Sequence, residues 1–189
     1  MSIYYKKLLG EKVYLSPIPM EDAEKYAMWM NDFGVTDYTG RSHTILSLES
    51  EKEWLENERK KGSCILAIVE LATDEVMGTI SLNSVDNINR TAILGIMIGE
   101  DKYRNKGYGT EAIKLLLDFG FNYLNLNSIS LALLDVNQRA LRCYQKVGFK
   151  EYGRQRQCKY VNGKMHDLIH MDILSSEFKE ECIKNKNVK

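Results

Sequence analysis

Residues 104–110 (RNKGYGT) combine the groups of this sequence that are best suited to bind an anion. They directly precede an amphipathic segment whose spacing predicts a helix. A helix N-terminus exposes unpaired N–H groups and a partial positive charge, and Gly107 and Gly109 leave that backbone open to a phosphate. Arg104 and Lys106 add positive charge. The stretch therefore predicts a site for a phosphate-bearing ligand.

Two phosphate-bearing ligands compete for this turn, a dinucleotide and coenzyme A. Residues 107–112 (GYGTEA) match the GxGxxA fingerprint of dinucleotide-binding oxidoreductases, and Asp135 lies at the end of the next predicted strand. However, the charged run 99–106 separates the glycines from the preceding strand, and hairpins stand where further parallel strands are needed. A P-loop is excluded because the sequence lacks GxxxxGK[ST]. The dinucleotide is thus the weaker alternative.

A second candidate for chemistry lies in residues 137–149 (NQRALRCYQKVGF). Asn137 is a predicted N-cap of a short helix, and Gly148 is placed to end it. Tyr144 is seven residues after Asn137, about two turns, so the two side chains project from the same side. A buried tyrosine is commonly a core residue, whereas a phenol at the mouth of the cleft would be able to protonate a departing thiolate. We expect Cys143 to pack rather than to act as a nucleophile.

The remaining pattern predicts the elements that position these two segments. Strands are expected at residues 12–16, 64–70, 76–83, 91–98, 128–136, 149–160 and 165–174. Helices are expected at residues 20–30, 48–61, 109–124 and 138–147, with Ser47 as the N-cap of the second and Gly62 just after its end. The run at 91–98 is apolar on both faces and predicts a central strand. The order indicates a mixed α/β (α+β) domain that is antiparallel in its first half.

Length and composition limit the function classes. The 189 residues predict one domain over 1–176 with a polar C-terminal tail over 177–189. Because 26 basic residues balance 26 acidic ones, neither nucleic acid nor a membrane surface is an expected partner, and no apolar run reaches the roughly 20 residues of a membrane span. The four cysteines form no CxxC pair and no signal peptide precedes them, which predicts reduced thiols and a cytoplasmic location. No metal site is expected.

Taken together, the two motifs resemble those of the GNAT superfamily of acetyl-CoA-dependent N-acetyltransferases. The signature [RQ]xxGx[GA] of that superfamily reads RNKGYG at residues 104–109. The segments VYLSPIPMEDAE, NQRALRCYQKVGF and VNGKMHDLIHMDIL are similar to the branch of ribosomal-protein N-terminal and polyamine acetyltransferases. The resemblance covers residues 10–174 and implies a mostly antiparallel central sheet with splayed parallel strands, flanked by helices. It leaves a homodimer open.

The resemblance also implies roles for individual residues. Acetyl-CoA would enter between the strands at 91–98 and 128–136, its pantetheine arm pairing with the backbone of Ile96, Met97 and Ile98. Asn137 would hydrogen-bond the pantetheine, and Tyr144 would be the catalytic general acid in a direct transfer to an amine. The pyrophosphate would bind the amides of Arg104, Asn105, Lys106, Gly107, Tyr108, Gly109 and Thr110.

The sequence departs from the family pattern at Ile93, where many relatives carry glutamate. A general base is absent there, so water or another carboxylate must serve, and Glu70 and Asp86 are the candidates. This departure keeps open a non-catalytic acyl-CoA-binding sensor on the same fold.

The acceptor site is expected near the first helix. Asp32 beside Trp29 would hold a cationic amine by charge and ring face, and Tyr38 lies in the same region. A protein N-terminus, a polyamine and another small amine all remain open as acceptors.

Overall fold

The structure is a computed structural model that describes residues 3–184. Within this range the chain forms one eight-stranded sheet, in the order β1-β2-β3-β4-β5-β6-β8-β7, with five α-helices. The strands are β1 (Leu8–Leu9), β2 (Val13–Pro17), β3 (Cys64–Glu70), β4 (Val76–Asp86), β5 (Thr91–Ile98), β6 (Ser128–Leu134), β7 (Lys150–Val161) and β8 (Lys164–Leu174). The helices are α1 (Ala23–Met30), α2 (Phe33–Thr36), α3 (Leu48–Lys61), α4 (Tyr108–Asn122) and α5 (Gln138–Val147).

The sheet is antiparallel except for the pair β5–β6. The predicted fold class is therefore confirmed, and the series of parallel strands that a dinucleotide fold requires does not occur in residues 3–184. The two-residue β1 and the four-residue α2 were not predicted, because elements this short carry no readable periodicity.

Helix ends follow the predicted capping residues. The Ser47 hydroxyl accepts from the Ser50 N–H at 3.1 Å, and Gly62 ends α3 in the left-handed region with φ +67°. Gly148 ends α5 in the same way with φ +116°. Local sequence thus determines where these helices begin and end.

Helix α4 packs its apolar stripe into the main core against the sheet, with Leu115, Leu116 and Leu117 fully buried. Its buried Asp118 accepts hydrogen bonds from the backbone N–H groups of Cys182 and Ile183, at 2.6 and 3.0 Å. The described part of the expected tail, residues 177–184, therefore contacts the domain. The boundary at residue 176 stays a prediction.

The two parallel strands separate along their length. Pairing between β5 and β6 runs only from Thr91–Ser128 to Ile93–Ser130, whereas β6 continues to pair with β8 as far as Leu134. Beyond Ile93, β6 follows β8 and diverges from β5. The last residues of β5 are left with an open edge on that side, and this opening positions the candidate site.

None of the helices in residues 3–184 has the length and apolar character needed to cross a membrane.

Candidate active site

A cleft of about 330 Å³ lies between the open end of β5, the N-terminus of α4 and the helix α5. Most of the residues predicted to bind the cofactor line it, together with Tyr144: Ile96, Met97, Ile98, Arg104, Asn105, Gly107, Gly109, Thr110 and Asn137. The two motifs predicted from the sequence, residues 104–110 and 137–149, therefore line the same cleft. Lys106 and Tyr108 do not line the cleft.

The N-terminus of α4 lacks a side-chain cap. Its N-cap residue is Gly107, with φ +88°, and the Glu111 N–H makes the first helical hydrogen bond, to the Gly107 carbonyl at 3.0 Å. The N–H groups of residues 108–110 accordingly have no acceptor within the helix. An L-residue at Gly107 would be strained by roughly 1–2 kcal/mol. Uncovered amides at a helix N-terminus are suited to bind an anion.

Arg104 supports the same conclusion. Its Nη2 donates to the Gly34 carbonyl at 3.2 Å and its Nη1 pairs with Asp101. Its buried Nε has no partner among the described residues. Burial and the neighbouring Arg139 cation both lower the pKa of Arg104. Two cations that line one cleft, one with an unused donor, fit an anion such as a diphosphate.

Tyr108 and Lys106 turn their side chains away from the cleft. The Tyr108 hydroxyl donates to Glu70, and its ring contacts Tyr103 edge-on at 6.1 Å. Lys106 is exposed, and its carbonyl accepts from the Lys12 ammonium at 3.3 Å. Only the backbone of these two residues is available to the cleft. Glu70, a predicted candidate base, is occupied by Tyr108 and lines neither the cleft nor the chamber described below.

Asn137 caps α5, as predicted. Its Oδ1 accepts from the Ala140 N–H at 3.1 Å, and its Nδ2 donates to the Tyr38 carbonyl at 3.2 Å. Because capping uses one lone pair of the oxygen and Tyr38 takes one amide hydrogen, one N–H donor and one acceptor lone pair remain for a ligand. The expected contact with pantetheine would use one of these.

Tyr144 is 8% exposed, and its ring packs edge-on against Phe149 at 5.8 Å. No described residue hydrogen-bonds its hydroxyl, which faces the cleft. Burial raises the pKa of Tyr144, so the phenol keeps its proton at neutral pH. The adjacent Cys143 lies 3.2 Å from the Thr110 hydroxyl, and burial raises the pKa of its thiol, which disfavours a nucleophilic thiolate.

A larger chamber of about 710 Å³ adjoins the cleft on the side of α1 and α3. Both are lined by Tyr38, Thr39, Ile96, Met97, Asn137 and Tyr144. The chamber and the cleft therefore meet at Tyr144.

Of the three residues predicted for the acceptor, only Tyr38 lines the chamber, and it is 41% exposed. Trp29 is 5% exposed and lies in a core cluster beneath Gly99, where a Cβ would stand 2.0 Å from its ring. Asp32 caps α2 by accepting from the Gly34 N–H at 2.8 Å. Neither Trp29 nor Asp32 lines the chamber, and packing and capping engage these side chains, so their acceptor roles stay predictions that the chamber does not support.

Sequence reasoning missed two groups that the structure adds. Arg139, Arg142 and Lys146 line the cleft from α5 and supply positive charge; their helical spacing was a readable signal. Glu51 lines the chamber and is 5% exposed. Glu51 lies on the buried face of α3 together with Leu55. A carboxylate at an otherwise apolar helix position was the sequence feature that indicated a functional role.

A family model described as the acetyltransferase (GNAT) domain matches residues 12–150. The chain belongs to this family. Acetyl-CoA is the donor used by GNAT enzymes and is thus the donor of this acetyltransferase. The cleft fits that donor through its uncovered amides and the cationic side chains that line it. The dinucleotide alternative is therefore excluded.

Known proteins similar to this GNAT chain are acetyltransferases by name. It is 26% identical to the uncharacterized N-acetyltransferase p20 of Bacillus licheniformis, over 90% of this chain and 97% of that protein. It is 34% identical to the putative ribosomal N-acetyltransferase YdaF of Bacillus subtilis, over 55% of this chain and 56% of that protein.

The fold is shared with a solved structure of spermidine N-acetyltransferase from Vibrio cholerae, in complex with CoA and spermine. The TM-score is 0.82 at 23% identity, covering 88% of this chain and 98% of that one. At this level of identity the likeness establishes the fold alone.

Proposed function

We propose that this GNAT protein transfers the acetyl group of acetyl-CoA directly to a primary amine, either a protein N-terminus, a polyamine or another small amine. The observation that carries the proposal is the unpartnered Tyr144 hydroxyl at the junction of an anion-binding cleft and a separate chamber. A transfer enzyme needs its two substrates to meet at one point. Both relatives are named N-acetyltransferases, which supports an amine nitrogen as the acceptor.

The donor would be held along the cleft. The N–H groups of residues 108–110, with Arg104, would bind the diphosphate, because they combine free donors and positive charge. The backbone of Ile96, Met97 and Ile98 would pair with the pantetheine arm, since the divergence of β6 leaves that edge of β5 open. Bound there, acetyl-CoA supplies a reactive thioester.

The residues at the junction would then assist the transfer. A backbone N–H of β5 stabilises the negative charge that develops on the carbonyl oxygen. Tyr144, protonated at neutral pH, gives its proton to the sulfur as the carbon–sulfur bond breaks. For an acceptor that arrives as an ammonium ion, two protons leave the nitrogen: one restores Tyr144 and the other passes to water. No covalent enzyme intermediate is needed.

A non-catalytic acyl-CoA sensor is the second candidate, favoured by Ile93 at the position where a base is expected. Ile93 is exposed and lines neither the cleft nor the chamber. The test incubates the purified protein with acetyl-CoA and pools of peptides, polyamines and small amines. We expect free CoASH together with an acetylated amine, identified by mass spectrometry. Binding of acetyl-CoA without CoASH release in every pool would favour the sensor.

Location and assembly belong to the same proposal. The four cysteines are unpaired thiols, which supports the predicted cytoplasmic location. The homodimer is a hypothesis that analytical ultracentrifugation tests directly.

A further inference from the structure

The chamber contains a carboxylate that no described residue contacts through a hydrogen bond or an ion pair. Glu51 projects from α3, lines the chamber and is 5% exposed. No hydrogen bond or ion pair to its side chain occurs within residues 3–184; the nearby Arg41 cation acts on it only through space. A buried charge without a partner is unfavourable. The chamber is therefore electrostatically incomplete without a cationic ligand.

The charges around Glu51 limit how many positive groups that ligand carries. Glu51 is the one acidic residue among the described residues that line the chamber, while Arg41 and Lys159 bring positive charge to the same lining. Both cations are exposed, whereas Glu51 is buried. A ligand with several ammonium groups would have one carboxylate to pair with, and its remaining charges would face Arg41 and Lys159.

Part of the remaining lining is suited to an apolar body, beside polar side chains that include Thr79, Ser81 and Asn83. Leucine, isoleucine and methionine side chains and the half-exposed Trp54 surround the space next to Glu51, including Met30, Leu46, Ile65, Leu94 and Leu133. The volume of about 710 Å³ accommodates a small amine or the first residues of a peptide.

We infer that Glu51 binds the ammonium group of the acceptor and that the acceptor is a monoamine, with one ammonium group on an apolar or aromatic body. This inference rests on the proposed function and narrows it, because a polyamine is then a poor substrate. A free arylalkylamine and the α-amine of a peptide share the required chemistry. The carboxylate accepts charge-assisted hydrogen bonds from the ammonium group and so orients the nitrogen in the chamber that ends at Tyr144.

The experiment measures kcat and KM of the full chain with acetyl-CoA and three acceptors: 2-phenylethylamine, a leucyl-phenylalanine amide and spermidine. We expect at least one monoamine to exceed spermidine in kcat/KM by tenfold or more, and the two monoamines distinguish a free amine from a peptide. Glu51→Gln should raise the KM of the preferred monoamine by about 10- to 100-fold. The KM of acetyl-CoA should stay within about twofold, which also shows that the variant is folded.

Glu53→Gln is the matched control, because Glu53 is an exposed carboxylate on the same helix outside the chamber. It should leave every constant unchanged. Lys159→Gln should improve spermidine relative to the monoamines by relieving repulsion. A preference for spermidine, or equal behaviour of the Glu51 and Glu53 variants, would overturn this inference while leaving acetyl transfer intact. Acetyl-CoA binding with no CoASH release for any acceptor would overturn the proposed function and this inference with it.

Discussion

Replacing Tyr144 by phenylalanine removes one hydroxyl group and keeps the ring that packs against Phe149. Since no described residue hydrogen-bonds this hydroxyl, the change breaks no internal contact. Burying an unpaired hydroxyl is unfavourable by about 1–3 kcal/mol, partly relieved here by the open cleft. We therefore expect Tyr144→Phe to unfold at the same temperature as the native chain or up to about 4 °C above it.

The same substitution should slow transfer. A positioned general acid contributes roughly 10²- to 10⁴-fold to a rate. A thiol with an ordinary pKa near 8.5 is already a good leaving group, so we expect a loss in kcat of about 10²-fold, at the lower end. The affinity for acetyl-CoA should be nearly unchanged, because the diphosphate and pantetheine contacts lie elsewhere in the cleft.

The assay should separate CoASH by chromatography, because the chain has four free cysteines of its own that react with thiol reagents. Calorimetry gives the acetyl-CoA affinity of both proteins. Since burial raises the pKa of Tyr144 above its ordinary value near 10, the native enzyme should show no loss of kcat from tyrosine ionisation below that pH. The acid role is refuted if kcat and acetyl-CoA affinity fall by equal factors, or if kcat falls less than twofold.

Two further predictions test the chamber and the turn. Burial raises the pKa of Glu51 above its ordinary 4.5, opposed by Arg41, with Tyr26, His43 and Lys159 lining the same chamber. The protonated form stabilises the fold below pH 4.5, and this contribution is lost as pH rises through the folded-state pKa of Glu51. Glu51→Gln should therefore stabilise the protein by about 1 kcal/mol at pH 7 and by less near pH 4. Melting curves at both pH values check this, and a variant that is less stable than the native chain at pH 7 contradicts it. Gly107→Ala should lower stability by about 1–2 kcal/mol and raise the KM of acetyl-CoA. Gly163→Ala is the control, because Gly163 has φ +80° in the β7–β8 turn and a Cβ there would have no atoms within 4 Å. It should lower stability without changing the KM of acetyl-CoA.

Local patterns predicted the elements and part of the site well. The caps Ser47 and Asn137, and the helix-ending glycines, are properties of a few adjacent residues. The position of Gly107 just before α4 can be predicted from the helical periodicity of the residues that follow it. The packing of Trp29 under Gly99 and the capping of the short α2 by Asp32 were not predicted, because such patterns do not show these partners.

By itself the sequence determined the glycine turn before α4, the helix that carries Tyr144 and the order of the strands along the chain, because each depends on neighbours within a few residues. Only the tertiary structure decided that β6 leaves β5 beyond Ile93, that the cleft opens into a chamber at Tyr144, and that Glu51 is buried there. These features depend on strand pairing and packing between segments far apart in the chain. A carboxylate acquires its unusual electrostatic state only when the folded chain removes it from water.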